Sequence, residues 1–206
     1  MLNRRLASLI AAVAVAGVAA TACADQSAAI RVDDVTVSRN DFEDELALYF
    51  DNADLRGFVF GQVEQDQLRG ELRDSYSQEY VAAVAGLRVQ FIVADSVLAA
   101  EGLEVTDEDR QAAEDLIADG VPGGVSSLPE DRSADFIDDV AAFTTLQAEL
   151  QDGFTQAITD AYAEADISVR SQYGTWDPEQ LTIVPPDGPV GAPSGGDAET
   201  EGPTPG

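Results

Sequence analysis

The sequence predicts a mainly α-helical fold carrying a small β-hairpin, and three observations support that reading. Apolar residues recur at steps of three and four, so that Tyr80, Val84, Leu87, Phe91, Ala94 and Leu98 stack on one helix face. Phe136, Val140, Phe143, Leu150 and Phe154 form a second such stripe, at coiled-coil-like steps. Hydroxyl residues with an acid three positions on mark helix starts at Ser38 with Asp41 and at Thr106 with Asp109. Alternation of the kind a strand needs is confined to residues 29–37 and 166–170.

Taken in order, residues 29–37 alternate around Asp33 and Asp34, which suit a hairpin turn. A first helix begins at about Arg39 and carries Phe42, Leu46, Leu48 and Tyr49 at helical spacing. The segment Gly57-Phe58-Val59-Phe60-Gly61 is expected to break this pattern, holding three apolar residues between two glycines. A core helix then runs from about Ser75 to Ala100, about 26 residues or ~39 Å at 1.5 Å per residue. Gly102 suits its end, and Thr106 caps a third helix running to about Asp119. Residues 120–129 read as a loop, and one further helix is expected from about Glu130 to Ala163, with Gly153 as the place for a bend. A short strand at 166–170 leads into residues 171–177, where Trp176 reads as a structural anchor.

From Pro185 onward, 6 prolines and 6 glycines occupy 22 residues, too little apolar surface to offset the cost of ordering. The expected organisation is a signal peptide at 1–22, a tether at 23–28, one helical body at 29–178 and a disordered acidic tail at 179–206.

At the N-terminus, Arg4 and Arg5 precede an Ala-rich apolar run of 17 residues from Leu6 to Ala22. That is short for a membrane span of about 20 residues and reads as a cleaved secretory signal. Cys23, the only cysteine, follows Ala20-Thr21-Ala22 directly. This arrangement resembles the lipobox of bacterial lipoproteins, whose cysteine receives a diacylglycerol and becomes the new N-terminus; Ala20 stands where the lipobox usually has Leu. The plainer reading is an ordinary signal cut nearby that leaves a single thiol. With acylation at Cys23, palmitate-type chains would hold the protein on the outer face of the cell membrane, since two chains anchor stably where one does not.

Composition excludes more chemistry than it suggests. The chain has 39 acidic residues against 11 arginines, a formal net charge of −28, and neither histidine nor lysine. Nucleic-acid binding, which needs cations to neutralise phosphates, is disfavoured. Histidine-dependent nucleophiles, a Walker lysine, Schiff-base chemistry and His-containing zinc sites are excluded within this chain. No calcium-loop spacing occurs, so neither metal nor cofactor is expected. Paired carboxylates could run glycoside hydrolysis. Asp33-Asp34, Asp138-Asp139 and 106–109 read first as a turn, a solvated helix face and a helix start. The Ala, Val, Asp, Gly and Arg bias suits a GC-rich genome such as an actinobacterium's, or a salt-adapted organism.

The stretch from Ile30 to Phe42, with its hairpin, Ser38 cap and acid-aromatic pair, resembles the opening of SurA-like foldases. The stretch from Arg88 to Asp109 resembles that family's long helix, glycine break and Val-Thr-Asp-Glu restart. Phe136 to Leu150 fits the next helix, and Val169 with Tyr173-Gly-Thr-Trp-Asp177 resembles the closing segment of actinobacterial lipoproteins of this group. The resemblance covers most of residues 29–177. It implies a helical peptide-binding body in which 167–169 pairs with the 29–37 hairpin. SurA and the related PrsA insert a parvulin prolyl isomerase domain whose active site is rich in histidine, and only the 120–129 loop stands at that point here. The resemblance therefore carries over peptide binding and not the isomerase.

The function expected from these features is a membrane-anchored extracytoplasmic holdase that binds unfolded or exported polypeptides without catalysis. Partly exposed apolar patches would bind clients, and acidic rims would keep the complex soluble. Phe58 and Phe60 are the first candidates for client contact and Tyr76 and Tyr80 the next, against the alternative that these rings plug the core. The other function open at this point is a lipoprotein scaffold holding one specific envelope partner.

Overall fold

The computed structural model describes residues 28–61, 63–72, 75–187 and 190–191. Cys23, the segment read as a signal peptide, and the tail from 192 onward lie outside the described residues. The architecture is mainly helical with small antiparallel strand pairs, as the apolar spacing predicts.

Strands β1 (Ala28–Val32) and β2 (Val35–Ser38) form the expected hairpin, with Asp33 taking the left-handed turn conformation at φ 51°. Strand β4 (Ile167–Val169) pairs antiparallel with the other edge of β1, giving the order β2-β1-β4. Ile30 faces Val169 and Val32 faces Ile167. The Asp33 and Asp166 main chains are joined by an N–H···O bond of 3.0 Å, and the Asp33 carboxylate accepts the Asp166 amide at 2.9 Å. The two ends of the body are thus fastened to one another.

Helix α1 (Arg39–Asp51) starts where its cap predicts, the Ser38 hydroxyl accepting the Asp41 amide at 3.2 Å. The expected break at 57–61 is instead helix α2 (Ala53–Phe60). Asn52 restarts the helix by accepting the Leu55 amide at 2.9 Å, and burial of Leu55 offsets the ~1 kcal/mol that Gly57 costs inside a helix. The turn stops at Gly61, whose φ of 76° suits glycine.

Helix α3 (Gln78–Ala100) is the centre of the molecule. It begins three residues later than its apolar pattern suggests, because Ser75 and Tyr76 form a two-residue strand, β3, and Ser77 caps the helix through the Tyr80 amide. By length and hydropathy α3 could cross a membrane, yet most of it is buried inside the protein. Val81, Val84, Ala85, Val89, Val93 and Ala94 are all essentially inaccessible, a near-complete ring of contacts. Helix α4 (Asp107–Gly120) has the predicted capping box, with Asp109 accepting the Thr106 amide at 2.8 Å.

The single helix expected over 130–163 is two: α5 (Glu130–Leu150) and α6 (Phe154–Glu164), separated by a 3-10 turn at Gln151–Gly153 in which Gln151 has φ 45°. The break lets Phe154 turn back against Phe143, their rings 5.3 Å apart, and lays α6 across α3.

The folded body also extends past the expected boundary at 178. Strands β5 (Thr175–Asp177) and β6 (Thr182–Val184) form a hairpin, and β7 (Val190–Gly191) pairs with β3. Ile183 and Val190 are 5% and 7% exposed. Averaged over the 22 residues from Pro185, the proline and glycine content hides the apolar anchor Val190, while Ile183 stands just before that window. A side chain at Gly174, φ 135°, would strike Ile183, so the hairpin requires glycine there.

Tyr173 is fully buried, stacks edge-on against Phe42 at 4.7 Å, and donates its hydroxyl to Glu43 at 2.8 Å. Tyr173→Ala is expected to cost about 3–5 kcal/mol in urea unfolding. Trp176 fluorescence and helical circular dichroism should shift together; loss of the Trp176 signal alone would mean that the C-terminal segment is a separate unit.

Candidate functional site

The four aromatic candidates separate. Tyr76 and Tyr80 are each 3% exposed and belong to a ring cluster with Phe50, in which Tyr76 lies 5.1 Å from Phe50 and 5.5 Å from Tyr80. The Tyr80 hydroxyl donates to the Leu46 carbonyl. Both tyrosines are core plugs and offer no surface to a client. Phe58 and Phe60 are half-buried and point to different sides of α2, two residues being about 200° apart on a helix. Phe58 packs on Phe136 of α5 at 6.4 Å and lies so close to Gly120 that no larger residue fits there. Phe60 rests edge-on against Tyr49 at 5.5 Å and lines an open groove.

That groove is the candidate site. Its floor is the stretch of α3 from Glu79 to Gln90, where Ala82, Ala83 and Gly86 keep the surface low. Val59 and Phe60 form one wall, and Leu87 rises between them and the C-terminal segment. The opposite wall is Tyr162 of α6 and Trp176 of β5, stacked at 5.5 Å with their planes 25° apart, followed by Ile183 and Pro185. Ile183 reaches to 4.0 Å from the position a Cβ on Gly86 would take, which closes the groove's lower edge. The volume is about 530 Å³, within the ~300–1,000 Å³ typical of ligand sites. Such a cleft, edged by three aromatic rings and lined by apolar side chains together with Glu79, Gln90 and Thr182, can accept apolar side chains while leaving polar groups at its margins.

Arg56 fixes the upper wall, and the sequence alone gave no sign of it. The side chain is 6% exposed and donates to the Phe50 carbonyl at 2.7 Å, the Tyr49 carbonyl at 3.3 Å and the Val63 carbonyl at 3.0 Å. It satisfies the last carbonyls of α1 and orients α2.

A second polar cluster lies at the seam of α1, α3 and α5. Arg88 donates to Asp139 at 2.6 Å and stands 3.5 Å from Glu45, which also receives the Tyr49 hydroxyl at 3.5 Å. The pair Asp138-Asp139 is therefore not a uniformly solvated face: Asp138 is exposed and binds Arg110 at 2.7 Å, while Asp139 turns inward to Arg88. Burial raises both inner carboxyls, Glu45 to about 7 and Asp139 to about 6, against the opposing pull of Arg88. The cavity beside them holds about 20 Å³, room for roughly one water and no substrate. The geometry is that of two acids sharing one guanidinium. Among the described residues no group of three or more metal-ligating side chains comes together.

The pH dependence follows from the raised values. A carboxyl that holds its proton more tightly in the folded chain stabilises the fold fully below its unfolded pKa of 4.5, and that contribution is lost as pH rises towards 7. Wild type is expected to lose about 2 kcal/mol more between pH 4.5 and 7 than Glu45→Gln, as measured by urea unfolding at each pH. Parallel curves for the two proteins would contradict the burial argument.

Compared with known proteins, the chain matches no family model, no curated protein and no solved structure.

Proposed function

We propose that this chain is a binding protein of the holdase type, acting on unfolded or exported polypeptides at the outer face of the membrane and tethered there by a lipid on Cys23. The observation that carries the reading is the groove of about 530 Å³ along α3, bordered by Phe60, Tyr162 and Trp176. It is open, edged by aromatic rings with polar residues between them, and built on helices and a hairpin, properties that suit weak, reversible holding of apolar segments. The formal charge of −28 supports the same role by keeping a loaded carrier from associating with others of its kind.

A non-catalytic role is consistent with the chemistry available. The chain has no histidine or lysine, and its two most perturbed carboxyls are committed to Arg88 beside a cavity of about 20 Å³. The SurA-like reading rests on the hairpin, caps and closing motif already described, and the pairing of 167–169 with β1 is the arrangement that it anticipates.

The full-length protein is expected to suppress aggregation of several unrelated denatured proteins at near-equimolar ratio, followed by light scattering. Ala83→Trp fills the groove from an exposed helix position and should abolish most of the effect while leaving the circular dichroism unchanged. If no denatured protein is protected and pulldown recovers a single envelope protein, the chain is a scaffold. Cys23→Ser should move the protein from the membrane to the soluble fraction without altering aggregation suppression; a variant that stays with membranes would end the lipid-anchor reading.

A further inference from the structure

We infer that the groove along α3 takes apolar segments bounded by lysine or arginine, in preference to equally apolar segments bounded by acids. This inference rests on the peptide-binding reading above and adds the chemistry of the client.

Charge is placed unevenly around the slot. Among the described residues that line the groove, Glu79 is the one acidic or basic side chain, and it is exposed at the groove's upper end. The C-terminal wall adds acids and no bases. Helix α6 carries exposed Asp160 and Glu164, and the β5–β6 hairpin carries Asp177 and exposed Glu179. No arginine occurs in α6 or between Thr175 and Val184. The two arginines on the remaining walls are spent elsewhere. Arg56 of α2 is buried on the carbonyls of Tyr49, Phe50 and Val63, and Arg88 of α3 is bonded to Asp139 on the far side of the helix. Arg69, which lines the neighbouring cavity with Glu79, is paired with Asp66 at 3.6 Å and lies over the Phe50 ring, so an apolar centre can enter the slot while its flanks meet mainly negative charge. A basic flank is attracted, an acidic flank is repelled, and neither changes the apolar contact itself.

The slot also limits the length of the apolar part. About 530 Å³ between Val59 and Pro185 accepts a few side chains and no folded domain, so the flanking charges of the same segment must lie near the rim. The net charge of −28 extends the selection beyond contact distance by steering basic segments towards the protein.

The test uses the full-length protein and three fluorescent peptides with one Leu-Val-Phe-Val centre, flanked by arginines, serines or aspartates, read by anisotropy. The arginine-flanked peptide should bind about tenfold more tightly than the aspartate-flanked one at low salt, with the gap closing at about 0.5 M salt. Ala83→Trp should weaken the arginine- and serine-flanked peptides alike, whereas Glu79→Gln should weaken only the former. Equal affinity for all three peptides, with Ala83→Trp still disruptive, overturns the charge selection and leaves the groove reading standing. Binding of no peptide overturns both. If Ala83→Trp instead converts a dimer to a monomer in sedimentation, the groove's occupant is a second copy of the chain and the inference fails.

Discussion

Burial of α3 is the constraint on which the rest of the structure depends. A helix of 23 residues that is apolar on almost every side cannot be satisfied by one neighbouring layer. It must be enclosed, and no single stretch of this chain is long enough to enclose it. Helices α1 and α5 cover one side, α6 another, β1 lies across it, and β6 closes the remaining gap with Ile183. The pairing of β4 with β1 makes this possible by returning the chain to its starting edge, so that α6 and the β5–β6 hairpin arrive where α3 is still bare.

The groove is the part of α3 that this enclosure leaves open. Where large residues project, as at Tyr80, Val84 and Val89, neighbouring elements close around them. Along Ala82, Ala83 and Gly86 the helix offers little side-chain volume, and the hairpin can rest on Gly86 only at one edge. Phe60, Tyr162 and Trp176 then stand around a shallow floor. The same enclosure forces the Glu45, Arg88 and Asp139 cluster inward: Arg88 lies on the α3 face covered by α1 and α5, and its charge is tolerated because each of those helices supplies a carboxyl.

Local grammar was readable from the sequence and long-range geometry largely was not. The Ser38 and Thr106 caps, the Asp33-Asp34 turn and the stripe from Tyr80 to Leu98 each depend on residues a few positions apart, and they appear where expected. Alternation in both partners, together with the SurA-like resemblance, gave the β1 pairing at 167–169. The segment at 57–61 was misread because two glycines outweighed the Asn52 cap that restarts the helix five residues earlier. The break at 151–153 had only Gly153 as a marker, while the residue in the unusual conformation is Gln151. Arg88 has no local signal at all, since its partners stand 43 and 51 positions away in sequence. Of the aromatic candidates, the sequence placed Tyr80 on the buried stripe and Phe60 near a turn; that Phe60 meets Tyr162 and Trp176 in one groove is a product of the closure.

Trp176 is the only tryptophan in the chain and stands on the groove wall, so its emission reports occupancy without a label. Titration of the full-length protein with a chemically unfolded, tryptophan-free polypeptide is the most direct test of the account. A saturable change in Trp176 emission, absent in Ala83→Trp once the added tryptophan is accounted for by Ala83→Leu as a second filling variant, is the result predicted here. Unchanged emission while light scattering shows the polypeptide bound would place binding elsewhere on the molecule and contradict it.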